Sequence, residues 1–169
     1  KPVKIEKPLF EIENSFRVNE FVKDGFGNYW FATTNGIYQL VNNEGVWIVK
    51  NHLTTKSVDN KLNLSHNNIF SIHLSLNKDV WLGTFGGGLM KIQLNPIGEP
   101  ESIFSYHKKD GLPDEAIMGI LEDNQGMFWI STDMGIARFN PLNEQFDLFD
   151  INDGILSNNL RQSAYLKTR

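Results

Sequence analysis

The sequence predicts an all-β protein built from repeated four-stranded units, and three observations carry that expectation. The first is composition: the 169 residues include nineteen Asn and fourteen Gly, a turn-rich content that favours many short strands over helices. The second is the stretch Asp79 to Ile92. An apolar run around Trp81 turns at Gly86-Gly87-Gly88 and leaves on a second apolar run, Leu89 to Leu94. The third is that this stretch recurs. With Trp30, Trp81 and Trp129 as anchors, a Thr stands three residues later (Thr33, Thr84, Thr132) and a Gly six later (Gly36, Gly87, Gly135). An apolar residue stands nine before each Trp (Phe21, Ile72, Ile120) and another twelve before (Val18, Ile69, Ile117). Five columns in register at spacings of 51 and 48 residues are the mark of β-propeller blades, repeats of ~40–50 residues with four short strands each.

Taken in order, residues 1–17 contain Pro2 and Pro8, which argue against a regular element, with Leu9, Phe10 and Ile12 leaving room for an outer strand of a preceding blade. The first unit spans about 18–50. Its strands are Val18–Val22, Tyr29–Thr33 after the hairpin turn Asp24 to Asn28, Gly36–Val41 and Val46–Lys50. A long polar connection, 51–68, follows. The second unit, about 69–107, has strands Ile69–Leu74, Val80–Thr84, Gly88–Leu94 and Ser102–His107. The third, about 117–149, has Ile117–Glu122, Met127–Thr132, Gly135–Asn140 and Gln145–Phe149. Asp153-Gly154-Ile155 then repeats Asp110-Gly111-Leu112 at the same distance from the next apolar column, so 160–169 is read as the start of a fourth blade. The whole chain, 1–169, is thus expected to be one section of a propeller: three blades with partial blades at both ends. Propellers close with ~4–8 blades. The bare end faces therefore call for the remaining blades of a parent propeller, or for a second copy of the chain.

Composition also excludes. With 16 basic and 20 acidic residues the net charge is −4, which argues against nucleic-acid binding and against contact with an anionic membrane surface. No cysteine is present, so disulfides and thiolate metal sites are absent. No apolar run approaches the ~20 residues of a membrane span. His52, His66, His73 and His107 fall at no metal-ligand spacing, and no nucleophile–base signature occurs. Asp123-Asn124-Gln125-Gly126 lacks the later Glu of a calcium loop and reads as a hairpin turn. Gly86-Gly87-Gly88 lacks the Lys-Ser/Thr and helix of a phosphate loop and reads as a tight strand turn. No catalytic residue, metal or cofactor is expected.

Because they repeat, Trp30, Trp81 and Trp129 are expected to pack between blades rather than stack on a sugar, and Trp47 to sit on a packed outer strand. Thr33, Thr84 and Thr132 are expected to make hydrogen bonds within each blade. Binding residues belong instead to the loops that join one blade to the next and the second strand to the third. Polar and aromatic groups there that do not follow the repeat are the candidates: His66, Asn67, Phe85, Asp114, Asp133, Asn158 and Arg161. They offer the planar polar groups and aromatic face that a carbohydrate needs.

One known pattern resembles these units. An Asp-rich turn, a Trp-apolar-small-Thr strand, a Gly-apolar exit and a later Asp-Gly-Leu/Ile resemble the two-component regulator propeller repeat. The residues that carry it are Asp123 to Gly126 with Trp129 to Thr132 and Gly135-Ile136, Trp81 to Thr84 with Gly87-Gly88-Leu89, and Trp30 to Thr33 with Gly36-Ile37. Lys78 stands where the other turns have Gly, Asn63 replaces the Gly before Leu64, and Gly86 to Gly88 carries one extra residue. The resemblance implies the periplasmic, extracytoplasmic sensor region of an inner-membrane hybrid two-component system, sensing an oligosaccharide and signalling to a histidine kinase carried elsewhere. A protein-interaction scaffold without a small ligand is the alternative, and a propeller lyase or hydrolase a more distant one.

Overall fold

The computed structural model describes residues 16–161. Twelve strands form three separate four-stranded antiparallel sheets, each in simple up-and-down order. The first sheet holds β1 (Val18–Lys23), β2 (Tyr29–Thr33), β3 (Gly36–Asn43) and β4 (Val46–Leu53). The second holds β5 (Ile69–Leu74), β6 (Val80–Thr84), β7 (Leu89–Leu94) and β8 (Pro100–Tyr106). The third holds β9 (Ile117–Glu122), β10 (Phe128–Thr132), β11 (Gly135–Asn140) and β12 (Gln145–Phe149). The first strands β1, β5 and β9 lie side by side, so the sheets radiate from a common inner edge as propeller blades. The possible outer strand at Leu9, Phe10 and Ile12 and nearly all of the 160–169 segment lie outside the described residues. Among the described residues no helix is long and apolar enough to cross a membrane.

Each hairpin is held by one side chain. In the first blade Asp24 Oδ1 accepts the N–H groups of Phe26 (2.9 Å) and Asn28 (2.8 Å), while Oδ2 accepts the Trp30 indole N–H at 2.9 Å. Asp123 repeats this with Gln125 (2.8 Å), Met127 (3.0 Å) and Trp129 Nε1 (3.0 Å). The turn needs one residue in the left-handed region, taken by Gly27 (φ 88°), Lys78 (φ 68°) and Gly126 (φ 80°). Lys78 therefore adopts a conformation that costs an L-residue about 1–2 kcal/mol.

At the other end of each Trp strand a threonine clasps the turn. Thr33 Oγ1 donates to the Gly36 carbonyl (2.8 Å) and accepts the Asn35 N–H (3.0 Å). Thr132 does the same with Gly135 (2.9 Å) and Met134 (3.0 Å). Thr84 bonds Gly88 (3.0 Å) and the Gly87 N–H (2.7 Å). The extra residue in the second blade thus moves the structural role from Gly87 to Gly88. Gly88, like Gly36 and Gly135, has positive φ, and a Cβ on any of the three would collide with the carbonyl ending the outer strand, at Tyr106, Leu53 and Phe149 respectively.

The core lies between blades. Trp30 (0% exposed) packs with Leu64, Ile69, Ile72, Leu82 and Met90 of the second blade. Trp81 (2%) packs with Ile117, Ile120, Phe128, Ile130 and Phe139 of the third. Trp129 is 36% exposed, because no described sheet follows its own; it stacks on Phe149 at 5.6 Å between ring centres. Trp47 meets Tyr29 edge-on at 4.7 Å. Strand β4 runs three residues beyond the expected Lys50. Asn51 and His52 made that segment look like loop, yet Asn51 donates to Gln39 Oε1 (2.6 Å), His52 stacks on Tyr38 (3.9 Å) and Leu53 is buried. Strand β8 begins at Pro100, where a first residue needs no N–H of its own.

Relieving the strained turn should stabilise the protein. Lys78→Gly is expected to add about 1 kcal/mol, seen as a higher urea midpoint at unchanged slope. Gly36→Ala should instead cost about 2 kcal/mol or more, through both φ and the clash with Leu53.

Candidate functional site

The chain crosses from each outer strand to the next inner strand by one repeated device. Two residues before β5 and β9 stand Asn67 and Glu115, and Asn158 holds the same place before Leu160. Their backbone carbonyls accept the N–H groups of Gly36 (2.6 Å), Gly88 (3.0 Å) and Gly135 (2.8 Å) in the blade being left. Their side-chain oxygens accept the N–H two residues past the outer strand: Thr55 (2.7 Å), Lys108 (2.9 Å) and Ile151 (3.0 Å). Three residues before these brackets stand Leu64 and Leu112, both buried, and half-buried Ile155. The Asp-Gly pair has a plain reason too. Asp110 and Asp153 accept the N–H groups of His107 and Asp150, each at 2.9 Å, and Gly111 and Gly154 end the short 3-10 turns in the left-handed conformation.

Asn67 and Asn158 are therefore scaffold groups whose side-chain oxygens are occupied. Sequence reading placed them among the non-repeating residues because the middle member of their column is Glu115. His66 and Phe85 are brought together, with ring centres 6.4 Å apart, and Phe70 joins them at 5.1 Å from Phe85. Phe85 is 53% exposed. His66 Nδ1 accepts the Asn68 N–H at 3.0 Å. The glycine turn runs between two crossovers. A Cβ at Gly87 would lie 2.7 Å from His66 Cβ, and one at Gly88 would lie 2.8 Å from Glu115 Oε2. Only glycines let both loops close on this turn. Asp133, in the β10–β11 turn, and Arg161, just past the crossover that holds Asn158, are both exposed; neither shares a ring contact with the His66–Phe85 group.

Charge gathers on the second crossover. Lys108 Nζ lies 2.8 Å from Asp114 Oδ2, and His107 Nδ1 lies 3.0 Å from Glu115 Oε2. Partial burial alone would raise the Asp114 carboxyl; the Lys108 ammonium and the N–H groups of Ala116 and Glu115 outweigh it and hold the group below its ordinary value. Asp114 raises Lys108 in turn. The surface thus offers an exposed aromatic edge, imidazoles and paired charges beside a glycine floor. Sequence reading missed His107 and Glu115, and also the His73–Glu122 pair (3.1 Å) between adjacent inner strands, because the latter partners lie 49 residues apart. Among the described residues no group of three or more His, Cys, Asp or Glu could hold a metal.

The comparisons meet this geometry at the same place. Residues 111–134 match the family described as Two component regulator propeller. The matched span runs from the crossover glycine through β9 and β10 to the Thr132 clasp, and the resemblance read in the sequence holds. No curated protein matches the chain significantly. Among solved structures, the chain is similar to the extracellular domain of a protein described as a hybrid two component system from B. thetaiotaomicron, with 22% identity and a TM-score of 0.69 over 90% of this chain and 19% of that one. It is also similar to a protein of unknown function from Bacteroides caccae, with 11% identity and a TM-score of 0.52 over 91% of this chain and 49% of that one. Virginiamycin B lyase from Staphylococcus aureus follows at 16% identity over 76% of this chain and 39% of that one, with a TM-score of 0.49 that carries no argument. At these identities the likeness speaks for the propeller fold, and the chain spans about a fifth of the first structure.

The Asp114 shift has a pH consequence. The folded carboxyl lies below its unfolded value, so its contribution to stability is present above about pH 4 and is lost as pH falls through the folded value. Asp114→Asn should cost about 0.5–1 kcal/mol at neutral pH and flatten the acid limb of a stability–pH curve. Urea titrations from neutral pH downward check both.

Proposed function

We propose that this chain is a sector of the extracytoplasmic, ligand-sensing propeller of a hybrid two-component regulator, with an oligosaccharide as its ligand. The observation that carries the reading is the two-component propeller repeat at 111–134, set in a blade whose columns recur in the other two. The sensing surface is the crossover face around Gly86 to Gly88. Phe85 and His66 supply a ring face there, and Asp114, Lys108 and the amide groups supply hydroxyl partners, the pairing that sugar recognition requires. The role is non-catalytic. Signalling follows if ligand favours one arrangement of the blades and biases the attached kinase.

The same reading accounts for the two bare faces. Trp129, Phe149 and Ile155 occupy the columns that the first two blades bury against a following blade. On the opposite side Phe21 (58% exposed) stacks on Phe31 at 5.5 Å, in the columns filled by Ile72–Leu82 and Ile120–Ile130 further along. Further blades of a longer propeller are the partners that fit both.

Two experiments test this. Isothermal titration of the complete sensor against a glycan panel should show saturable binding, weakened about tenfold or more by Phe85→Ala. A sensor that binds a protein and no glycan supports the scaffold alternative instead. Separately, light scattering should find the 169-residue chain self-associated and a chain extended through the missing blades monomeric. A monomeric 169-residue chain with Trp129 emission unchanged by extension would count against the sector reading.

A further inference from the structure

The second blade breaks the repeat beneath its tryptophan. In the first and third blades the hairpin Asp accepts the indole N–H, Trp30 to Asp24 at 2.9 Å and Trp129 to Asp123 at 3.0 Å. In the second blade this position is Ser75. Its hydroxyl still accepts the hairpin N–H, that of Asp79, at 3.1 Å, but it is too short to serve the indole as well. No described residue accepts the Trp81 N–H, although Trp81 is only 2% exposed. The ring is buried but its N–H is not sealed: the buried polar side-chain atoms without a partner among the described residues are Asn68 Oδ1 and Ser71 Oγ, so the Trp81 N–H faces open space, where water or a ligand can serve it.

Beside these two residues lies a cavity of ≈310 Å³ between the second and third blades, lined by both Ser75 and Trp81. It opens on the hairpin side, away from the crossover face. Its size stands at the small end of ligand sites, about 300–1,000 Å³, which suits a single small molecule rather than an extended chain. Both signs of charge line it. Lys91 lies over the Trp81 ring at 5.8 Å and over Phe104 at 5.2 Å, and only 3.7 Å separates its ammonium from Asp79 Oδ2, longer than a tight ion pair. Burial pushes the Asp79 carboxyl up, with Lys91 opposing. Glu122, held by His73 and by the Leu76 N–H (2.9 Å), adds negative potential. Leu76, Phe128 and Leu142 give one apolar wall.

An anion alone would face Asp79 and Glu122, and a cation alone would face Lys91. A zwitterion satisfies both signs. We propose that this cavity binds a free α-amino acid with an aliphatic side chain. Its carboxylate takes the Trp81 indole N–H and the Lys91 ammonium, its ammonium goes to Asp79, and its side chain lies against Leu76 and Leu142. The site is independent of the crossover face and stands or falls apart from glycan sensing there.

Calorimetry on the purified chain tests it with leucine, leucine methyl ester, N-acetyl-leucine and glucose. Leucine should saturate, and the two derivatives, each lacking one charge, should bind about tenfold more weakly or worse. Ser75→Asp installs the acceptor that the other blades already use, so the fold should hold, with an unchanged or higher melting temperature, while leucine binding is lost. Lys91→Met should weaken binding about tenfold. The proposal is overturned if leucine shows no saturation at millimolar concentration, if Ser75→Asp binds it as tightly as the parent, or if glucose competes for the site.

Discussion

A propeller blade cannot bury its own tryptophan. Trp30 and Trp81 stand on the face each sheet turns toward the next, and both are sealed only by residues about fifty positions further on. Burying a ring of this size removes ~150–250 Å² from water, on the order of 4–6 kcal/mol. Much else in each repeat serves to aim that ring. In the first and third blades the hairpin Asp fixes the indole from one end of the strand, and in all three the threonine clasp fixes the turn at the other. Opposite each Trp on the neighbouring strand stands Gln39, Lys91 or Arg138. Lys91 and Arg138 lie over their rings at the same 5.8 Å.

Packing of this kind needs the next blade to arrive at a set distance, and hydrogen bonds at the crossover set it. Asn67 and Glu115 tie the departing glycine and the first turn of the connection to the start of β5 and β9, and Asn158 makes the same two bonds after the third blade. The first connection is longer than the other two, yet each ends in the same bracket. Nearer the axis the blades are joined again by polar side chains. Glu20 accepts the Ile72 N–H at 2.9 Å, Asn19 donates to the Ile69 carbonyl at 2.6 Å, and Glu122 accepts from the His73 ring and the Leu76 N–H. These groups let an apolar interface end in water without leaving strand termini unpaired.

The blades were legible in the sequence because their columns are identical in kind: Trp, Thr, Gly and two apolar residues keep register through all three units. What stayed hidden depends on geometry that residue type does not report. Asn51 and His52 read as loop, because nothing local reveals that a Gln and a Tyr on the neighbouring strand will satisfy them. Gly87 filled the counted column while Gly88 took the conformation, since an insertion between two glycines cannot be located by spacing alone. Asn67 and Asn158 looked free for a ligand because a bracket that accepts through Asn in two copies and Glu in the third is one oxygen in space and two letters in text. Of the candidate residues, His66 and Phe85 do meet across the glycine turn. Asp114 is held by Lys108, Asp133 sits in the β10–β11 turn, and Arg161 lies just past the crossover that holds Asn158.

Departures from the repeat then become the informative positions, and they fall together. Strand β6 is broken from the pattern at both ends: the extra residue among Gly86 to Gly88 lies beyond one end, and Ser75, in place of the Asp that its neighbours use, lies before the other. The first and third blades keep both features. Closing a ring requires neither change: the other two blades close with an Asp that accepts the indole N–H and with a turn one residue shorter. The two changes sit at opposite ends of the blade: the glycine turn lets the two crossovers close beside Phe85, and on the hairpin side Ser75 and Trp81 line an open cavity. The second blade gives up regularity where the fold can tolerate it, and its neighbours keep the packing on either side intact.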